Sequence, residues 1–100
     1  MTLTYVDAII KIDKVTKRVI VEQKIKDYRH GIEPFDFKDI ENFIKFYKRK
    51  KSPPFGEEFK VYTDGVLFQG FYGLQEDSNG MVGLSNNEFD DFILNFERAK

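Results

Sequence analysis

A chain of 100 residues with 41% hydrophobic and 33% charged side chains is the size of one domain with one core, and eleven Phe and five Tyr without Trp make that core aromatic. Cysteine is absent, which excludes disulfides, thiolate nucleophiles, cysteine-based zinc sites and iron–sulfur clusters together, and no apolar run approaches the ~18 residues of a membrane-spanning helix. The net charge of −1 conceals an asymmetry: residues 1–51 carry 13 Lys and Arg against 8 Asp and Glu, whereas residues 52–100 carry 3 against 9.

The opening MTLTYVDAII has no basic n-region, long apolar stretch or small-residue cleavage site, so an unexported, cytoplasmic protein is expected. Residues 6–13 place Val6, Ala8, Ile10 and Ile12 in alternation, and residues 18–25 (RVIVEQKI) are β-branched and nearly alternating. Both read as strands of one hairpin, joined by Lys14-Val15-Thr16-Lys17. His30, the single histidine, falls in Asp27–Gly31, where a loop is expected. With three serines and no cysteine, the chain offers His30 no recognisable nucleophile motif, and it reads as a surface residue.

Residues 37–50 set Phe37, Ile40, Phe43, Ile44 and Tyr47 at helical spacing behind Asp36, a candidate N-cap. Lys38, Lys45 and Arg49 fall opposite that apolar stripe, and Lys48, Lys50 and Lys51 surround the helix end, where cations suit the dipole. Ser52-Pro53-Pro54 stops the helix. These six basic side chains form a plausible set of phosphate contacts. Against that stands a sequence pI near 5.8, well below that of dedicated nucleic-acid domains.

The second half repeats this order. Residues 58–63 lead into Asp64-Gly65, a two-residue hairpin signal, and then into a strand over 66–74. Such a turn sets Val61 opposite Phe68 on one face and Tyr62 opposite Leu67 on the other, with Phe71 on the latter. Gly70-Phe71 falls within a glycine- and aromatic-rich run but lacks the basic residue and second stacking ring of an RNA-binding strand. Residues 76–80 read as a turn, since the acidic spacing of a calcium loop is missing. A short apolar piece, Met81–Leu84, precedes Ser85-Asn86-Asn87-Glu88, a capping-box pattern before Phe89, Phe92, Ile93 and Phe96.

An offset of about 49 residues aligns Lys11 with Lys60, Gly31 with Gly80, Phe43 with Phe92 and Ile44 with Ile93, and also the candidate caps Asp36 and Ser85. The expected architecture is therefore α+β: an antiparallel sheet of four to six strands with two helices packed on one face, built as a tandem duplication of a ββ(β)α unit within a single domain, sub-repeats 1–51 and 52–100.

Adjacent Asp90 and Asp91, near Glu88, lack the separation and unequal environments that acid–base catalysis needs. No phosphate loop or dinucleotide fingerprint is present. The residues thus point away from an enzyme and imply neither cofactor nor metal. They point to a small protein-binding module of the adaptor or inhibitor type. Tyr62, Leu67, Phe71 and Leu94 are its candidate apolar contacts, and Glu88, Asp90 and Asp91 would attract a basic partner or the basic half of a second copy in a homodimer. The alternative is nucleic-acid binding through Lys38, Lys45, Lys48, Arg49, Lys50 and Lys51. No membrane partner is expected.

Overall fold

The computed structural model describes residues 1–25, 28–32, 34–54, 58–71 and 79–100, with the backbone alone at 25, 28–30, 70, 71, 79 and 80. Two helices and two antiparallel sheets surround one core. The chain enters on β1 (Thr2–Tyr5), turns at Val6-Asp7 and returns on β2 (Ala8–Asp13). Asp7 takes the left-handed conformation that this tight turn requires, φ 60°, a region Asp tolerates better than most residues. Val6 is therefore a turn residue, 80% exposed, and not the start of a strand as its β propensity suggests.

The connection at residues 14–17 is as expected. The Asp13 carboxylate accepts the N–H groups of Val15 and Thr16 at 2.9 and 3.2 Å and closes it into β3 (Arg18–Ile25). Next comes β4 (Tyr28–Gly31), a strand where a loop was expected. His30 lies in it opposite Gln23, its side chain outside the described residues. A two-residue β5 (Phe35–Asp36) also pairs with β3, so the first sheet runs β1-β2-β3-β4 with β5 on β3. Between β4 and β5 lies Pro34, which has no N–H to give a ladder.

Helix α1 (Phe37–Lys48) starts where the Asp39 carboxylate accepts the N–H of Asp36 at 3.2 Å. It ends earlier than the expected residue 50. Lys50 adopts φ 57°, and the N–H groups of Lys50 and Lys51 donate back to the carbonyls of Tyr47 and Phe46. This is a Schellman closure, built here on a lysine in place of the usual glycine. The second sheet follows in the order β6 (Phe59–Val61), β7 (Gly65–Phe71), β8 (Asn79–Ser85), and α2 (Asn86–Ala99) closes the chain. Ser85 caps α2 reciprocally with Glu88, at 3.2 and 2.8 Å.

The single sheet expected from the sequence is thus two. At the outer edge of β6 the Ser52 hydroxyl accepts the N–H of Val61 at 2.9 Å and donates to its carbonyl. This takes up both outward groups of Val61, so a joining strand would have to displace Ser52 there. The sheets meet instead through β8, which lies against β2 and β3. The helices do not share one face of one sheet either: α1 packs on β3, β5 and β6, so it spans both sheets, while α2 packs on β7 and β8.

The second hairpin is also displaced from its expected register. Val61 pairs with Val66, Lys60 with Leu67 and Phe59 with Phe68, and Tyr62 N–H donates to Gly65 at 2.8 Å. The turn is therefore Thr63-Asp64, held by α2: Asn86 donates its backbone N–H to Asp64 and its side-chain amide to Thr63. A two-residue shift keeps every side chain on its face, so Phe68 still points inward and Leu67 outward.

Side chains from all these elements form one cluster. Phe43 of α1 stacks on Phe59 of β6 with centroids 4.7 Å apart and meets Phe35 of β5 edge-on at 5.2 Å. Phe68 touches the rings of Phe35, Phe43, Phe59 and Phe89. A displacement of 49 residues carries the start of α1 at 37 onto that of α2 at 86 and β2 onto the position of β6, whereas β3 falls two residues past the start of β7, the same two residues by which the second hairpin's register is displaced. The place of β1 is then taken by residues 51–54, which hold two prolines and the Ser52 that covers β6.

Candidate interaction surface

The outward face of the second sheet is built by alternation. Phe59, Val61, Val66, Phe68, Val82 and Leu84 turn toward the core, which leaves Lys60, Tyr62, Leu67, Gln69, Met81, Gly83 and Ser85 on the other side. Leu67 sits opposite Lys60 on one side and Gly83 on the other, and its Cδ1 lies 4.0 Å from where a Gly83 side chain would begin. Leu67 thus leans over a bare backbone. Tyr62 is 52% exposed and Met81 49% exposed on the same face, and Gly83 and Ser85 are also open. The result is a shallow apolar surface edged by two charged side chains among the described residues, Lys60 and, bonded through its carbonyl to Gln69, the exposed Glu58.

Of the expected contacts, Tyr62 and Leu67 come together here. Phe71 lies in β7 opposite Asn79, its side chain outside the described residues. Leu94 does not join them. It stands 61% exposed on the outer side of α2, whose opposite side packs on the inner face of the sheet through Phe89, Phe92 and Phe96. Met81 was missed. Its signal was the alternation of Met81, Gly83 and Ser85 against Val82 and Leu84, which gives the short strand expected there one open face.

The acidic residues are bound to the protein itself. Glu88 caps α2, Asp90 accepts the Tyr47 hydroxyl at 2.9 Å, and Asp91 accepts the Tyr5 hydroxyl at 2.6 Å. Burial, and then the neighbouring carboxylate, push the Tyr47 phenol up to about 12 and raise that of Tyr5 further. These carboxylates lie on the helix layer, away from the apolar sheet face.

The basic residues divide into two places. Lys38 lines a groove at the start of α1 with Lys17, Asp36, Phe37, Glu41 and Lys100. In that groove Lys17 sits 5.6 Å over the Phe37 ring, and Lys100 bridges Glu41 and Glu97. Lys48, Arg49, Lys50 and Lys51 are exposed at the other end of the helix, with Lys45 one turn before. A 12-residue helix is about 18 Å long, so Lys38 is no part of that group.

Among the described residues no three His, Asp or Glu side chains converge as a metal site, and no helix is long and apolar enough to cross a membrane. No family model, curated protein or solved structure matches this chain.

Proposed function

We propose that this protein is a non-enzymatic binding module that captures another protein on the outward face of its second sheet. The observation that carries this reading is the grouping of Tyr62, Leu67 and Met81 around Gly83, an apolar surface with Lys60 and Glu58 as the charges at its rim among the described residues. Binding patches take this form, an aromatic and aliphatic centre with polar edges. The acidic residues of α2 are committed to Ser85, Tyr47 and Tyr5 and stand on another layer, so the partner at this face is chosen by shape and apolar contact more than by its charge. A cytoplasmic setting belongs to the same reading and rests on the cysteine-free composition.

The module arose, in this reading, by tandem duplication of a ββ(β)α unit. The coincidence of the helix starts, and of β2 with β6, at one displacement supports it, as does the way both helices begin, with an N3 carboxylate accepting the N–H of the capping residue.

The test compares capture of host proteins by the native chain and by Tyr62→Lys combined with Leu67→Lys. The variant is expected to keep its circular dichroism and unfolding midpoint while losing the captured protein. Unchanged capture would sink the proposal, and unfolding of the variant would show the face to be part of the core.

A second reading has its own support in the five basic side chains, Lys45, Lys48, Arg49, Lys50 and Lys51, held outward around the end of α1 by the Lys50 closure. If they neutralise phosphates, binding to mixed-sequence DNA should fall steeply with salt. Absence of binding at low salt would remove this alternative.

A further inference from the structure

Among the described residues, none pairs with the outer edge of the first sheet at β1. Met1 exchanges both backbone hydrogen bonds with Ile12, at 2.8 and 3.1 Å. In an antiparallel ladder such pairs recur at every second residue, so Leu3 with Ile10 and Tyr5 with Ala8 are bonded pairs too. The N–H and C=O groups of Thr2 and Thr4 consequently point away from β2, and no described residue bonds to them. Sheet edges are ordinarily blunted by lysine, proline or a bulge. The run Thr2-Leu3-Thr4-Tyr5 has none of these. The contrast lies within the same molecule, where Ser52 bonds to both outward backbone groups of Val61 at the edge of β6.

We propose that β1 pairs antiparallel with β1 of a second copy, joining two first sheets across a two-fold axis. One register satisfies the outward backbone groups: Thr2 opposite the second copy's Thr4, with Leu3 on the axis. Thr2 and Thr4 of each copy then exchange four hydrogen bonds. The side chains match as well as the backbone. On the outer face, threonine meets threonine, a favourable cross-strand pair. On the core side, Leu3 meets Leu3 and Met1 meets Tyr5. Met1 is 59% exposed in the single chain, and Leu3 and Tyr5 are only half-buried against the core, so a self-complementary apolar row is covered on pairing. An edge that pairs with itself in this way meets the requirement of a two-fold interface, the same patch on both sides. This surface is separate from the Tyr62–Leu67 face, so either proposal stands without the other.

Sedimentation velocity over a concentration series tests it, extended to about 1 mM because interfaces well under ~1,200 Å² are typically weak. The native chain should pass reversibly from monomer to dimer, and amide exchange at Thr2 and Thr4 should slow as the dimer fills. Thr4→Pro removes an outward N–H without breaking the bond to β2, and proline is tolerated on edge strands. It should raise the dissociation constant at least tenfold with an unchanged unfolding midpoint. Should that variant fail to fold, Thr2→Lys with Thr4→Lys decides, since charge on the edge blocks pairing. A chain that stays monomeric throughout overturns the proposal. So does a dimer that survives the edge variants, or one that is lost on Leu67→Lys.

Discussion

Gly65 looks from its neighbours like the flexible half of an Asp-Gly turn, but its φ lies outside the left-handed region and the turn is Thr63-Asp64. What the position requires is the lack of a side chain. A Cβ there would stand 2.2 Å from the Leu84 carbonyl oxygen on β8, a backbone atom that cannot move aside. Gly65→Ala should therefore lower the unfolding free energy by about 1–3 kcal/mol, as overpacking does, measured by urea denaturation; an unchanged midpoint would show that β8 can retreat. Lys50 presents the opposite case. It holds the left-handed conformation at the end of α1 without being glycine, a strain glycine relieves at some entropic cost, so Lys50→Gly should stabilise by about 0.5–1 kcal/mol.

The elements are tied laterally by two phenols on either side of α2. Tyr47 reaches from α1 to Asp90 and Tyr5 from β1 to Asp91. Both phenols titrate above the ordinary tyrosine value of 10.0, Tyr47 at about 12, chiefly through burial and then through the adjacent carboxylate. A group whose pKa is raised by folding adds stability that is fully present below its unfolded pKa and is lost as the pH climbs through the folded one. The protein should thus lose stability above pH 10.0, with the Tyr47 contribution gone by about pH 12. Tyr47→Phe should flatten that decline and remove one high-pH step from the tyrosinate absorbance titration. A decline equally steep in the variant would show that the strut between the helices has no such role.

For the molecule as a whole, the rings decide cooperativity. Phe68 lies among Phe35, Phe43, Phe59 and Phe89, contributed by β5, α1, β6 and α2, so the two halves share one core and should unfold in one step. Far-ultraviolet circular dichroism and tyrosine fluorescence are expected to report the same midpoint. Two separated transitions would show that the halves fold apart. Phe68→Ala should cost about 3–5 kcal/mol, a large part of the 5–15 kcal/mol typical of a domain.

Local chemistry made several elements readable from the residues alone. The 3.6-residue spacing of Phe37, Ile40, Phe43 and Ile44, and the Ser85–Glu88 box before Phe89, define both helices because hydrogen bonding and capping act within a few residues. The β-branched alternation from Ala8 to Ile25 defines the first hairpin for the same reason. β1 and β4 escaped because strands of four residues acquire their stability from neighbours, not from a pattern of their own. The candidate surface was half legible: alternation predicted which way Leu67 and Tyr62 point, but not that Met81 joins them or that Leu94 stands on another layer. The division into two sheets, the Thr63-Asp64 register and the open edge at β1 were settled only in three dimensions. Each depends on which distant group takes up a backbone N–H or C=O: Ser52 for β6, Asn86 for the turn, and none of the described residues for Thr2 and Thr4. Composition and periodicity determine which side chains seek the core, whereas the pairing of remote backbone groups is a property of the assembled fold.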